Sequence, residues 1–159
     1  MKNLIIVLSL VIGISAHAEL KIGDSARYVV GMSGQTFELL NAVAAIDTVA
    51  GKFTVNQTIF QNGSAIQQGT NQEDISSNTS DEGMFDACLQ LPAELNPKFE
   101  TVKVLAGSFS SCHVVQTDPN GTVTNAWFAK VVFGLVKMTK EHSIDNSDMT
   151  VELKEFKKN

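Results

Sequence analysis

Residues 52–60 alternate between apolar and polar side chains, and this pattern constrains the fold more than any other feature of the chain. A period of two is typical of a β-strand with one buried face. The apolar members of that face are Phe53, Val55 and Ile59. Asn62-Gly63 follows at once, and this dipeptide is the strongest short-range signal for a β-hairpin. The sequence therefore predicts that residues 64–68 return antiparallel to residues 52–60.

Strand patterns also occupy most of the remaining chain. An opening strand is predicted over residues 26–32. The β patterns resume at Phe99 and continue to Phe156, with a turn at residues 118–121. Residues 36–46 fit a helix as well as a strand, and the neighbouring strands favour a strand.

Two further segments interrupt the strands. Residues 71–83 are rich in Ser, Asn and Asp, which predicts an exposed loop. Residues 84–91 predict a short helix that ends before Pro92. Because consecutive strands are joined by tight turns, we expect a mainly β fold, α+β at most. It would be a curved antiparallel sheet or half-barrel with one or two short helices, formed by residues 19–159 as a single β-rich domain.

Residues 1–18 have the pattern of a secretory signal peptide. Lys2 precedes an apolar run that begins at Leu4, and Ala16 and Ala18 provide the small residues required for cleavage. The apolar run is shorter than the roughly 20 residues of a transmembrane helix, so we expect no membrane span after processing. No lipidation cysteine follows the cleavage site. We expect a periplasmic or secreted protein of 141 residues.

The chain has two cysteines, Cys88 and Cys112. In an oxidising compartment, an isolated pair forms a disulfide more often than two free thiols. His113 directly follows Cys112 and raises the alternative of a metal site. However, adjacent residues of a strand point to opposite faces, and no Cys-x-x-Cys spacing supports zinc. We therefore predict a disulfide and no bound metal.

Neither the charge nor the motifs favour nucleic-acid binding or catalysis. Lys2 is the one charged residue of the signal segment, so its removal changes the formal charge from −5 to −6. A nucleic-acid site needs stripes of Lys and Arg instead. Residues 31–34 do not match the G-x-S-x-G pattern of hydrolases, and no triad stands out around His113 or His142. We expect a protein that is not an enzyme and has no catalytic residue and no cofactor.

An ordered set of motifs lies between Glu100 and Lys137. It reads V-L-A-G-S-F before the second cysteine, then a tryptophan, then V-F-G-L-V-K. This order resembles a group of uncharacterised exported bacterial proteins, with a half-barrel similar to that of periplasmic lipoprotein carriers of the LolA/LolB type. The resemblance covers mainly the C-terminal half, and Leu105 and Val132 replace the usual prolines. It implies a curved antiparallel sheet closed on one side by helices.

Two hypotheses on function follow. In the first, the half-barrel binds a lipid or another hydrophobic small molecule between apolar side chains. The predicted lining residues are Phe53, Val55, Ile59, Trp127, Phe133, Leu135, Val151 and Leu153. We expect them to line one apolar space, with Trp127 or Phe133 on the face of Ile59. In the second, the protein is a structural or protein-interaction module of the envelope, because large apolar residues also fill a closed core.

The signal-peptide pattern makes a direct prediction about the processed protein. Cleavage after Ala18 should leave Glu19 as the first residue of the exported form. Intact mass and N-terminal sequencing of exported material measure this. An exported protein that retains residues 1–18 would contradict the prediction and identify the apolar run as an anchor.

Overall fold

Nine antiparallel strands form one sheet within the residues that the computed structural model describes, 20–75, 85–88, 90–92, 95–142 and 148–159. The strands are β1 (Ser25–Met32), β2 (Gln35–Asp47), β3 (Lys52–Gln61), β4 (Ser64–Asp74), β5 (Lys98–Val104), β6 (Gly107–Thr117), β7 (Val123–Phe128), β8 (Leu135–Glu141) and β9 (Met149–Lys157). Their order across the sheet is β4-β3-β2-β1-β9-β8-β7-β6-β5. The sheet is curved and unclosed, so the predicted fold class is confirmed. The predicted signal segment lies outside the described residues.

Tight hairpins connect the strands of the N-terminal half. Asn62 and Gly63 have φ angles of 51° and 78°, and Ser33 and Gly34 have φ angles of 50° and 76°. Two successive positive φ angles characterise the type I′ turn, whose twist matches that of the strands it joins. The predicted Asn62-Gly63 hairpin is therefore confirmed. A second turn of the same geometry joins β1 to β2, and sequence reasoning did not identify it.

The ambiguous segment 36–46 is a strand. Phe37, Leu39 and Val43 alternate with more exposed neighbours, and all three are buried. β2 pairs with β1 on one side and with β3 on the other. This pairing on both edges overrides the helix propensity of the Ala- and Leu-rich sequence.

The loop predicted from Asn71 begins later than expected. β4 continues to Asp74, because residues 71–74 pair with residues 52–55 of β3. The sequence shows no apolar alternation there because both faces of this outermost strand are largely exposed. Residues 76–83 of the predicted loop lie outside the described residues.

One face of the sheet carries the core. Strand register places the buried side chains of β1, β2, β8 and β9 on this face, which we call the interior face. Its central cluster contains Ala26, Tyr28, Val30, Phe37, Leu39, Ile59, Ala126, Phe128, Met138, Met149, Val151 and Leu153, among others. At 20–30 cal/mol per Å², burial of such a cluster supplies most of the driving force for folding.

The C-terminal half of the sheet curls towards its own centre. β8 and β9 pair only from Lys137↔Glu152 to Lys140↔Met149. Beyond that point the turn between β5 and β6 approaches β9, and the Ala106 amide donates to the Leu153 carbonyl at 3.0 Å. This contact ties the β5–β6 hairpin to the middle of the sheet.

Residues 85–88 form one helical turn, α1, within the segment predicted to be helical. The Cys88–Cys112 disulfide joins α1 to β6, with 6.2 Å between the two Cα atoms, and both cysteines are buried. Phe85 packs edge-on against Phe99 of β5 at a centroid distance of 5.7 Å. The predicted disulfide is thus present and fixes α1 beside β5 and β6.

A helix able to span a bilayer is absent from the part of the chain described above.

The disulfide joins cysteines 24 residues apart and should stabilise the fold mainly by restricting the unfolded chain. We expect a Cys88→Ala/Cys112→Ala variant to lose about 3 kcal/mol of unfolding free energy. Urea titrations with and without reductant measure this loss. Reductant should destabilise the wild type and leave the double variant unchanged. Equal stability of the oxidised wild type and the variant would contradict the prediction.

Candidate functional site

The structure brings together most, but not all, of the side chains predicted to line an apolar space. Ile59, Leu135, Val151 and Leu153 are buried members of the central cluster, and Phe133 packs against it. Phe53 and Val55 are buried but are not members of that cluster. Their predicted role in ligand binding stays a prediction.

Trp127 does not share a face with Ile59, whereas Phe133, the alternative in the same prediction, packs against the central cluster. Trp127 pairs with Lys137, and Lys137 pairs with Glu152. Val151 is the next residue along β9, so it points to the opposite face. Ala126, the neighbour of Trp127, takes the buried position in β7. The Trp127 ring reaches the core cluster only as a partly buried residue at its margin.

Trp127 is held by a network of side chains from four strands. Its Nε1–H donates to Glu100 Oε1 at 2.5 Å. Its ring stacks on His113, with centroids 4.2 Å apart and an interplanar angle of 10°, and Lys137 Nζ lies 5.5 Å from the ring centroid. His113 Nε2 lies 3.0 Å from Asn125 Oδ1. Because the indole N–H and a ring face are engaged within the protein, Trp127 braces β5 to β8 rather than offering a platform for a ligand.

A different surface, the outer edge of β4, has the properties of a binding site. β4 is one of the two outermost strands, and none of its residues is buried. Its sequence, SAIQQGTNQED, contains no Lys or Pro, two residues that commonly prevent an edge strand from pairing with another chain. Its charged residues, Glu73 and Asp74, are confined to its end, and a register shift at Ile66 interrupts its pairing with β3 near its start. Among the described strands only β3 pairs with it, so the outward backbone N–H and C=O groups have no strand partner there.

A row of amide side chains connects this edge to the interior. Gln57 Nε2 donates to Asn41 Oδ1 at 3.1 Å, and Asn71 Nδ2 donates to Gln57 Oε1 at 2.9 Å. Asn41 is 3% exposed and Gln57 is 9% exposed, so these bonds satisfy amides that would otherwise be costly to bury. The row also fixes the register of β2, β3 and β4.

A polar cleft of about 340 Å³ lies across β3 and β4. It is lined by Asn56, Gln57, Thr58, Gln68, Gly69 and Thr70. Gly69 is at its centre along β4, and a Cβ atom built there meets no heavy atom within 4 Å. On the face that Gly69 shares with Gln57, the sheet edge therefore has room for a side chain that another molecule supplies, and the cleft opens on the opposite face.

Two carboxylates end β4. Asp74 lies 3.8 Å from Lys52 Nζ across the hairpin. Glu73 is half-buried opposite Phe53 and forms no ion pair with any described residue. Burial, followed by the negative charge of Asp74, raises the pKa of Glu73 above its ordinary value of 4.5. This end of the edge strand therefore carries a carboxylate without a cation.

Glu38 on β2 has the opposite environment. Lys154 Nζ lies 2.5 Å from its Oε1, and Arg27 Nη1 lies 3.1 Å from its Oε2. The hydrogen bonds from Lys154 and then Arg27 lower the pKa of Glu38 below 4.5. Glu38 thus provides a matched comparison for Glu73 on the same sheet.

No family model and no curated protein matches this chain. Solved structures do. A putative exported protein of Bacteroides fragilis, described as having a YmcC-like fold, matches with a TM-score of 0.54 at 14% identity, over 91% of this chain and 99% of the other. A putative lipoprotein of Parabacteroides distasonis matches with a TM-score of 0.53 at 10% identity, over 86% and 96%.

MucB in the MucA/MucB complex of Pseudomonas aeruginosa also matches, with a TM-score of 0.54 at 8% identity. The match covers 86% of this chain and 52% of the other, so this chain spans about half the length of that protein. At these identities the likeness shows the fold alone. It agrees with the curved, unclosed antiparallel sheet, whereas the half-barrel and the resemblance to lipoprotein carriers stay predictions.

The two glutamates should respond oppositely to neutralisation. A raised pKa means that folded Glu73 holds its proton more tightly than the unfolded chain does, so stability falls as the pH rises through 4.5. Glu73→Gln should therefore raise the melting temperature at neutral pH. The lowered pKa of Glu38 has the reverse sign, so Glu38→Gln should cost about 0.5–1 kcal/mol at neutral pH.

Thermal unfolding of both variants and the wild type across acidic and neutral pH tests this. The gain of Glu73→Gln should vanish once the pH is well below 4.5. The loss of Glu38→Gln should vanish as the pH falls through the lowered pKa of Glu38. Changes of the same sign in both variants at neutral pH would contradict the assignment.

Proposed function

We propose that this chain is an exported, non-catalytic protein that binds a protein partner by accepting an extended segment of that partner along β4. The observation that carries the proposal is the exposed eleven-residue edge with its adjoining cleft. A segment added to a free edge gains main-chain hydrogen bonds for affinity, and cavities for alternate side chains give specificity.

The two edges of the sheet differ in a way that favours β4. At the other edge, α1 packs Phe85 against Phe99 of β5, and the disulfide holds α1 in place. The turn after β5 is also tied to β9 through Ala106. The described residues place no comparable cover on β4. An incoming strand therefore meets less obstruction at β4 than at β5.

Export is supported by the pattern of residues 1–18 and by the buried disulfide, which fits an oxidising compartment. The structural neighbours include proteins described as exported or as a lipoprotein. MucB is described in complex with MucA, which supports a protein rather than a small molecule as the partner. We place the protein in a periplasm-like compartment on these grounds.

Binding of a lipid is the competing hypothesis. A carrier needs an open apolar cavity, commonly of 300–1,000 Å³. Here the described cleft is lined by amides, hydroxyls and a glycine. The central apolar side chains of the interior face are buried against one another. This distribution favours recognition of a polypeptide over storage of an acyl chain.

The test begins with selection from a displayed library of random peptides long enough to pair with all of β4. Gln67→Pro and Gln68→Pro then separate the two edges of the strand, because successive N–H groups point to opposite sides. One variant removes a bond to β3 and should unfold more easily. The other should keep the wild-type melting temperature and lose the selected peptides. Gln67→Ala and Gln68→Ala retain both N–H groups and are the controls.

Amide hydrogen exchange should show new protection in β4 when a peptide binds. Failure to select any peptide, or equal binding by the well-folded proline variant, would refute the proposal. A fatty acid or phospholipid that raises the melting temperature, without protecting β4, would support the carrier hypothesis in its place. Trp127 fluorescence is a poor reporter of lipid binding, because the indole lies on the face opposite to the interior face.

A further inference from the structure

We infer that the segment bound by β4 carries an aromatic side chain opposite Gly69 and a Lys or Arg beside Glu73, on the same face and about four residues apart. This inference rests on the proposed function and names the chemistry of the partner. It follows from two features of β4 that lower the stability of the strand on its own, a central glycine and a carboxylate without a cation.

Gly69 is not required by the conformation of the chain. Its φ lies outside the left-handed region, and an added Cβ would meet nothing within 4 Å. Glycine in a strand interior weakens the strand, because it increases the entropy of the unfolded chain and offers no side chain for packing. What it provides here is open space beside the backbone, on the face of β4 that also carries Glu73.

The neighbouring strand of this protein does not cover that space. Gln57 lies opposite Gly69, but its amide is turned to Asn41 and Asn71 by hydrogen bonds. An aromatic ring on an adjacent strand is the usual way to cover a glycine at the edge of a sheet. A partner strand could supply such a ring, with the amide side chains of Gln67 and Asn71 on either side of it.

The acidic end of β4 specifies the second group. Gly69 and Glu73 lie on the same face, because β3 pairs Gln57 with Gly69 and Phe53 with Glu73. At about 3.3 Å per residue they are roughly 13 Å apart. Glu73 has Asp74 as its neighbour, and Lys52, at the start of the adjacent strand, is paired with Asp74. A cation from the partner would neutralise a half-buried carboxylate that forms no ion pair with any residue the structure describes.

A second copy of β4 cannot supply these groups. The sequence SAIQQGTNQED contains neither an aromatic nor a basic residue. An antiparallel pair of β4 strands centred on Gly69 would place glycine against glycine and leave both Glu73 carboxylates without a cation. The chemistry of the edge therefore points to a different polypeptide.

The test uses synthetic peptides of one polar strand sequence, titrated against the exported form of the protein. The peptides carry both groups, the aromatic alone, the basic residue alone, or neither. By analogy with cross-strand pairs, omission of either group should weaken binding roughly 3–5-fold. Salt should weaken only the peptides that carry the basic residue.

Two variants assign each preference to its residue. Gly69→Val should abolish the preference for the aromatic peptide and keep the preference for the basic one. Glu73→Gln should do the reverse. Gln72→Ala, on the opposite face of β4 and outside the cleft lining, is the control and should change neither preference. Gly69→Ala provides a milder change if Gly69→Val alters the melting temperature.

The possible outcomes distinguish a failure of this inference from a failure of the proposed function. Peptides that bind at β4 with equal affinity, whichever groups they carry, would overturn this inference and leave the proposed function intact. Preferences that survive in Gly69→Val and Glu73→Gln would also overturn it. Absence of binding by every peptide, together with an empty library selection, would overturn the proposed function itself.

Discussion

The pairing of β1 with β9 at the centre of the sheet is the contact on which the rest of the structure depends. β1 to β4 form one meander and β5 to β9 form another, and in the described sheet only β1 and β9 join them. Tyr28 pairs with Leu153 and Val30 with Val151, and these buried side chains form the middle of the core. Because the two strands are far apart in sequence, this pairing carries a large loop-closure entropy, which apolar burial at the same place offsets.

Once β1 and β9 pair, β4 and β5 become the two edges of the sheet, and different contacts attach these two strands to the rest of the fold. β5 is tied to β9 through its turn and is flanked by α1, which the disulfide holds. β4 is joined to β3 by backbone bonds and by the row of amides from Asn41 to Asn71. Polar attachment of this kind needs no apolar cover, so β4 can lie open to solvent without exposing a large hydrophobic surface.

The sequence predicts local features of this fold better than relations between distant strands. Alternation identified β3, and Asn62-Gly63 identified its hairpin, because both signals are local. The end of β4 was missed, since a strand with two exposed faces has no apolar period. The face of Trp127 was left open between two alternatives, because Ala126, Trp127 and Phe128 are all apolar and alternation does not decide which of them is buried. The β1–β9 pairing, which no local pattern encodes, was not predicted.

The candidate site was missed for a related reason. Sequence reasoning looked for apolar residues that could surround a ligand, whereas β4 is defined by what it lacks: aromatic residues, basic residues and a second described strand beside it. Positions that break local rules without an evident internal compensation are where function is to be sought. Gly69 and Glu73 are two such positions on one face of one strand. A partner strand that covers the glycine and neutralises the carboxylate would supply both missing contacts at once. Most of its stabilising effect should fall on the β3–β4 hairpin, because this hairpin lies at the edge of the sheet, away from the central pairing of β1 with β9.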